Sequence, residues 1–231
     1  MKFIKTTSVL LALLISPFVI RADMPNDNPL PLFASTEPLE LVLEMDMDKI
    51  LNDKSDDPKY YPAFLIQKLE KNKVQAFHIN VKASGNTRRV SEICDFPLIK
   101  LNFKKHDTEN TVFSGQDKIK MITHCREGEE FENYTALEYI AYKTYNTLTD
   151  FSYRVRLVKV LYRDINSQYP DIKKTGFLIE DDELLTKRLD ACISEKRIWS
   201  PDSCKQEMVD LFSFFEFMIG NTDGYNIDCP V

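Results

Sequence analysis

Leu39-Glu40-Leu41-Val42-Leu43-Glu44-Met45-Asp46-Met47 is the stretch on which the fold turns. Leu39, Leu41, Leu43, Met45 and Met47 alternate with Glu40, Glu44 and Asp46. Successive side chains of a strand point to opposite faces, so a period of two means one apolar face and one wet face. Three more segments repeat the pattern. Phe77, Ile79 and Val81 alternate within 75–82, and Ile99, Leu101 and Phe103 alternate with Lys100, Asn102 and Lys104. Residues 118–123 give a fourth strand. Residues 52–62 are polar and turn-rich, and Ser84-Gly85-Asn86-Thr87-Arg88-Arg89 reads as a turn.

Beyond these strands the period changes. Leu137, Ile140, Ala141, Thr144 and Leu148 recur at helical spacing within 132–148. Strand character returns over 154–162 and, after a loop, over 176–179. Asp181 and Asp182 suit the cap of a short helix through Leu189. A last helix is expected to start at Asp202 or Ser203. Met208, Leu211, Phe212, Phe215 and Ile219 line one side of it, and Gly220 ends it. The cluster of Phe212, Phe214, Phe215 and Phe217 is read as core. Strands, a helix, strands and a helical tail make an α+β plan with the sheet first.

Residues 1–22 read as a secretory signal, with Lys2 and Lys5 before an apolar run over 9–20. That run is shorter than the roughly 20 residues a spanning helix needs, so no stable membrane span is expected. The alternative is an uncleaved anchor. Export to a periplasmic or extracellular location follows from the signal. Residues 23–36, with Pro25, Pro29 and Pro31, read as a linker. The 43% hydrophobic and 29% charged content is that of a globular protein. A net charge of −6 excludes a general nucleic-acid binder but leaves nucleotide binding open.

The five cysteines include no C-x-x-C pair, and the three histidines lack zinc-ligand spacing. Export permits disulfides. Cys94–Cys125 and Cys192–Cys204 each couple neighbouring elements and leave Cys229 over; the alternative is unpaired buried thiols. His124 beside Cys125 does not make a thiol nucleophile, because neighbours on a strand point to opposite faces.

Several segments, in order, resemble the spore-coat-protein-H (CotH) kinase family. The family has an R-G-N-S-like turn, a basic Y-K-L-K-F-like strand and an L-R-N-x-L-A-Y helix. A Y-L-L-x-E hinge approach and a G-N-T-D-W turn follow. The corresponding residues are Ala83-Ser84-Gly85-Asn86-Thr87, Ile99-Lys100-Leu101-Asn102-Phe103 and Leu137-Glu138-Tyr139-Ile140-Ala141-Tyr142. Gly176-Phe177-Leu178-Ile179-Glu180 and Gly220-Asn221-Thr222-Asp223 complete the series, which spans about 37–226.

The resemblance implies a protein-kinase-like fold: an N-terminal lobe of antiparallel sheet plus helix over 37–180, then an incomplete helical C-terminal lobe over 181–231. It also implies ATP and Mg or Mn as cofactors, and phosphate transfer to a Ser or Thr of a protein substrate. Two departures bear on activity. Gly224 stands where the family has an aromatic residue, and the chain ends at Val231 before any W-D-F-D-like strand. The metal site is therefore expected to be incomplete. The alternative reading is a truncated, non-catalytic binding module.

Phosphoryl transfer needs a cation on the phosphates, an acid that fixes it, metal ions and an acid that orients the acceptor. Lys100 and Lys120 are the candidates for the phosphate cation, Lys100 fitting the family strand better. Glu138 is the candidate acid on the helix, and Arg88 or Arg89 would lie over the phosphates from the turn. Glu180 is placed at the hinge for the base of a nucleotide, Asp223 is the candidate catalytic acid and Asn226 the candidate metal ligand. Each has a plainer reading. Lys100 and Lys120 suit a solvated strand face, Glu138 an exposed helix, the 84–89 turn a simple hairpin, and Asp223 and Asn226 a helix-ending turn. The turn is not a Walker loop, since no G-x-x-x-x-G-K-[ST] is present.

Overall fold

Strand β1 (Leu39–Met45) buries Leu41, Leu43 and Met45 and leaves Glu40 in solvent, as its alternation requires. The computed structural model describes residues 29–192 and 205–221. Strands β2 (Tyr61–Lys68) and β3 (Val74–Ser84) form an antiparallel hairpin. Strands β4 (Leu98–Asn102) and β5 (Lys118–Ile122) extend it in antiparallel order. A second hairpin, β6 (Val155–Asp164) with β7 (Ile172–Ile179), joins through β7 to β5. Strand β6 then runs parallel to β1, so the sheet closes as a barrel in the order β1-β2-β3-β4-β5-β7-β6. Closure leaves no row of unpaired backbone groups at an edge.

The inward residues form one core. Leu43, Leu65, Val81, Leu101, Met121 and Val160 are all buried within it. The ring of Phe113 stacks on Phe103 at 5.0 Å and meets Phe77 edge-on at 5.2 Å. Leu32 joins this core ahead of β1. The buried Arg156 guanidinium holds that segment by donating to the carbonyls of Leu32, Ser35 and Glu37.

Helix α2 (Glu129–Leu148) crosses between β5 and β6 and lies on the outer face of β7. Tyr139 and Tyr142 flank Phe177 there, each with ring centroids 5.8 Å away. Both faces of the sheet are covered at this point. Phe177, Leu178 and Ile179 are therefore consecutive apolar residues rather than alternating ones. Helix α1 (Met47–Asn52) is capped by Asp46, and buried Asp164 accepts from the Met47 N–H. Helix α3 (Asp182–Leu189) is capped by Asp181, as its sequence indicates. Helix α4 (Gln206–Ile219) rests Phe215 on Tyr145, 4.8 Å between ring centroids.

The expected protein-kinase-like fold is corrected by this architecture. The strands do not stop at an antiparallel N-terminal lobe but close into a seven-stranded barrel. Two features produce the difference. β2 begins within the 52–62 segment read as a polar turn and continues through 63–68, to which the sequence reading assigns no element, although Ala63, Leu65 and Gln67 alternate inward. The parallel β1–β6 seam joins segments whose alternation alone says nothing about pairing. After residue 180 the described residues hold only α3 and α4, which do not build a helical lobe.

The helix lines also differ in detail. Phe214 and Phe217, read as core, are 76% and 85% exposed, because α4 turns its Phe215 side to α2 and the other side away. No helix among the described residues is long and apolar enough to cross a membrane. The signal at 1–22 and the expected helix start at Asp202 or Ser203 lie outside the described residues.

His124 is 2% exposed, its ring 4.6 Å from Phe96 and 6.2 Å from Tyr162. Burial, with Lys174 adding to it, lowers its pKa from 6.5 to about 4. Below the ordinary histidine value the unfolded chain takes up a proton that the native chain refuses. Stability therefore falls as pH drops through this window and levels off below it. Between about pH 6.5 and about pH 5 the expected loss from this group is about 1.5 kcal/mol. Urea titrations of wild type and His124→Phe across that range check it; an identical pH slope in both would refute the assignment.

Candidate functional site

Three lysines stand side by side on the outer face of the barrel. Lys82 of β3 is directly opposite Lys100 of β4, and Lys100 is directly opposite Lys120 of β5. Their neighbours Val81, Ile99, Leu101, Ile119 and Met121 all point into the core, which forces the three lysines outward. Residues directly opposite across strands have Cβ atoms about 4.5–5.5 Å apart, and like charges so placed are destabilising. Such a row calls for negative charge in front of it.

The protein supplies some of that charge. Lys82 lies 3.7 Å from the exposed Asp57 carboxylate and 5.0 Å from the centroid of Tyr60. Lys100 Nζ is 3.6 Å from Asp181 Oδ2, while Asp181 Oδ1 accepts from the Glu183 N–H to cap α3. Lys120 makes no ion pair among the described residues, but its charge acts on Glu138. Glu138 projects from α2 and meets Arg88 Nη2 at 3.3 Å. Burial raises the Glu138 carboxyl above its ordinary range, and Arg88 and Lys120 pull it back down.

Arg88 reaches this position because the turn after β3 is fixed in several ways. Its Nη1 donates to the Thr123 carbonyl at 2.6 Å. The Cys94–Cys125 disulfide ties the same connection to the end of β5, with Cα atoms 4.7 Å apart. The N–H groups of Asp95 and Phe96 both donate to the Cys125 carbonyl, at 2.8 and 3.1 Å. Arg126 Nε donates back to the Ile93 carbonyl at 2.8 Å. The turn is thus held over the end of the barrel where β5 leads into α2.

The structure brings Lys100, Lys120, Glu138 and Arg88 into one cluster. Lys82 is the member the sequence reading missed. The signal was available, since Phe77, Ile79 and Val81 face inward and therefore send Lys82 outward. Arg89, the alternative turn cation, points elsewhere: its Nε donates to the Gly85 carbonyl at 2.7 Å and its Nη1 to the Ser55 carbonyl.

Glu180 is not part of the cluster. It is buried, its two oxygens accept from Arg188 at 3.1 and 2.8 Å, and one also accepts from the Arg154 N–H at 3.1 Å. It fastens α3 to the start of β6, and its neighbour Asp181 reaches the lysines instead. Asp223 and Asn226 lie outside the described residues, as do Cys204 and Cys229. Of the two expected disulfides, Cys94–Cys125 forms; Cys192 is exposed with a free thiol.

Among the described residues no three His, Cys, Asp or Glu side chains are placed to hold a metal ion. The chemistry the cluster can perform is the binding of an anion. Three ammonium groups and a guanidinium gather on one outer face, with the carboxylates of Asp57, Asp181 and Glu138 against Lys82, Lys100 and Arg88. Fold and site together define a closed mixed barrel with a cross-strand lysine row beside a packed helix. No protein-family model, curated protein or solved structure matches this chain.

Proposed function

We propose that this protein binds a nucleoside triphosphate through the lysine row, the phosphates lying across Lys82, Lys100 and Lys120 with Arg88 above them. The observation that carries this reading is the direct opposition of three lysines across β3, β4 and β5. Neighbouring strands stand about 4.8 Å apart, so the negative oxygens along one polyphosphate can reach more than one lysine of the row. Glu138 serves as the acid that holds Arg88 and steers Lys120.

Transfer of the terminal phosphate to a Ser or Thr of a protein extends this reading. It rests on the CotH resemblance, with Asp223 orienting the acceptor hydroxyl and Asn226 holding Mg or Mn. ATP and the metal enter on that same ground. A non-catalytic module that only binds the nucleotide uses the same lysines and differs at Asp223. Export to the periplasm or outside the cell is proposed with it. The signal-like 1–22 segment supports that, and so does the Cys94–Cys125 bond, since such bonds persist in oxidising compartments.

The test is a thermal-shift titration of the mature chain with ATP, with and without Mg or Mn, against inorganic triphosphate as a simpler anion. A ligand that binds only the native state raises the melting temperature by mass action. Lys100→Ala and Lys120→Ala are each expected to weaken binding about tenfold, equivalent to roughly 1.4 kcal/mol. Absence of any shift, or a shift untouched by both variants, would overturn the reading. Asp223→Ala with labelled ATP and a Ser/Thr-containing protein acceptor separates transfer from binding. Label moved by the wild type and not by the variant supports a transferase.

A further inference from the structure

A second feature lies along α2, where it faces α4. Between α2 and α4 runs a groove of about 780 Å³. Tyr142, Tyr145, Phe212 and Phe215 line it from the two helices. Leu137, Ile140 and Ile219 line it too, and are 59%, 54% and 42% exposed. Large apolar side chains left open together mark a surface meant to be covered.

Charge and hydrogen bonding narrow what covers it. Glu138 and Glu216 line the groove, and no lysine or arginine does among the described residues. The two acids act on one ring: burial first, then both carboxylates, push the Tyr142 hydroxyl up to about 12. Burial and Glu216 raise Tyr145 as well. The Tyr145 hydroxyl is buried and has no hydrogen-bond partner among the described residues. A buried hydroxyl left unpaired costs about 1–3 kcal/mol.

We infer that this groove docks an amphipathic helical segment of another protein, apolar on one face and flanked by lysine or arginine. A helix of α4's length, 14 residues, lays its i, i+3, i+4 and i+7 side chains along two such helices. Its cations then meet Glu216 at the rim, beside Glu138, which Arg88 already holds at 3.3 Å, and charge in this way gives an apolar groove its selectivity. The acidic rim disfavours an anionic lipid surface. It equally disfavours a second copy presenting α4 itself, whose charged residues Glu207, Asp210 and Glu216 are all acidic. The groove and the lysine row share Glu138, so the inference rests on Glu216 and the apolar lining rather than on the nucleotide reading.

The probes are two fluorescent 14-residue peptides of identical pattern, one leucine/lysine and one leucine/glutamate, titrated by anisotropy into the full chain. The leucine/lysine peptide is expected to bind in the micromolar range and at least tenfold more tightly than its acidic counterpart. Leu137→Asp and Ile140→Asp change exposed side chains and should each weaken it tenfold or more, at an unchanged melting temperature. Glu216→Lys should move the preference toward the acidic peptide.

Equal binding of the two peptides would overturn the inference, as would affinity unaffected by Leu137→Asp and Ile140→Asp. Two other occupants are tested alongside. A concentration-dependent dimer in sedimentation that Ile140→Asp abolishes would overturn it in favour of a second copy. Pelleting with phosphatidylglycerol vesicles, lost in the same variant, would overturn it in favour of a lipid surface.

Discussion

Gly176→Ala is expected to be the most destabilising small substitution in this protein, lowering the free energy of unfolding by about 3 kcal/mol or more. Gly176 sits on β7 opposite Val158 of β6, one residue before the pair that joins β7 to β5. A Cβ built there drives into the Ile122 carbonyl oxygen, a backbone atom that has no rotamer by which to retreat. Relief requires β5 to move away from β7. That seam has three residue pairs, against eight between β6 and β7, and is where the barrel opens most easily.

The movement would carry further than the strand. Lys120 lies on β5 within the same three pairs, and Phe177, the next residue on β7, anchors Tyr139 and Tyr142 of α2. Gly176→Ala should therefore unfold at lower urea and also weaken the proposed nucleotide binding in whatever fraction stays folded. Gly220→Ala is the control. It lies at the end of α4 with φ +70° and nothing within 4 Å of an added Cβ, so it meets backbone strain alone, about 1 kcal/mol. Equal losses for the two variants would show that β5 and β7 adapt freely.

Removing the Cys94–Cys125 disulfide is expected to have the next largest effect. The bond closes a loop of 31 residues, and in the chain-entropy account that is worth about 3–4 kcal/mol. The paired variant Cys94→Ala/Cys125→Ala should lose that amount in urea titration, and wild type in a dithiol reductant should behave the same. Cys192→Ser, at an exposed free thiol, should change little. The hydrogen bonds from Asp95 and Phe96 to the Cys125 carbonyl remain in the variant. A loss below about 1 kcal/mol would mean that they hold the connection by themselves and that the sulfur bridge is redundant. Because the bridge fixes the turn that carries Arg88, the proposed nucleotide binding should weaken with it.

The strands were legible because each buries one face, and burial enforces alternation. Leu39 to Met45 and Phe77 to Val81 carry that signal, although the same alternation runs on to Met47, which is buried as the first residue of α1 rather than as strand. Helix α3 was legible from Asp181, whose carboxylate caps it as its chemistry dictates. The barrel was not legible. Alternation says which side chains turn inward, but it is silent on which strand lies beside which, and the parallel β1–β6 seam is a matter of pairing alone. β2 escaped because Pro62 and the polar residues before it read as turn, although only its first residues carry that character.

The candidate site was half legible for the same reason. Lys100, Lys120, Glu138 and Arg88 were each visible as cations and an acid near one another in a plausible order. That Lys82, Lys100 and Lys120 form a line depends on strand register, which no single segment encodes. Glu180 is placed at a hinge by the resemblance alone, and no pattern in its own segment shows that Arg188 takes it. In the fold the two carboxylates face opposite ways, Glu180 inward to Arg188 and Asp181 outward to Lys100.

The seam between the first and sixth strands sets when this molecule can exist as a folded object. Glu44 of β1 bonds Arg163 of β6 across 119 residues of chain. Contacts that distant carry a heavy loop-closure cost and form late, so folding in milliseconds to seconds is expected rather than in microseconds. During synthesis β1 waits, with its partner edge bare, until Asp164 has been made. An N-terminal portion that stops short of that residue cannot close. The waiting interval is one in which a growing chain remains threadable, and also one in which β1 is open to pairing with the wrong strand.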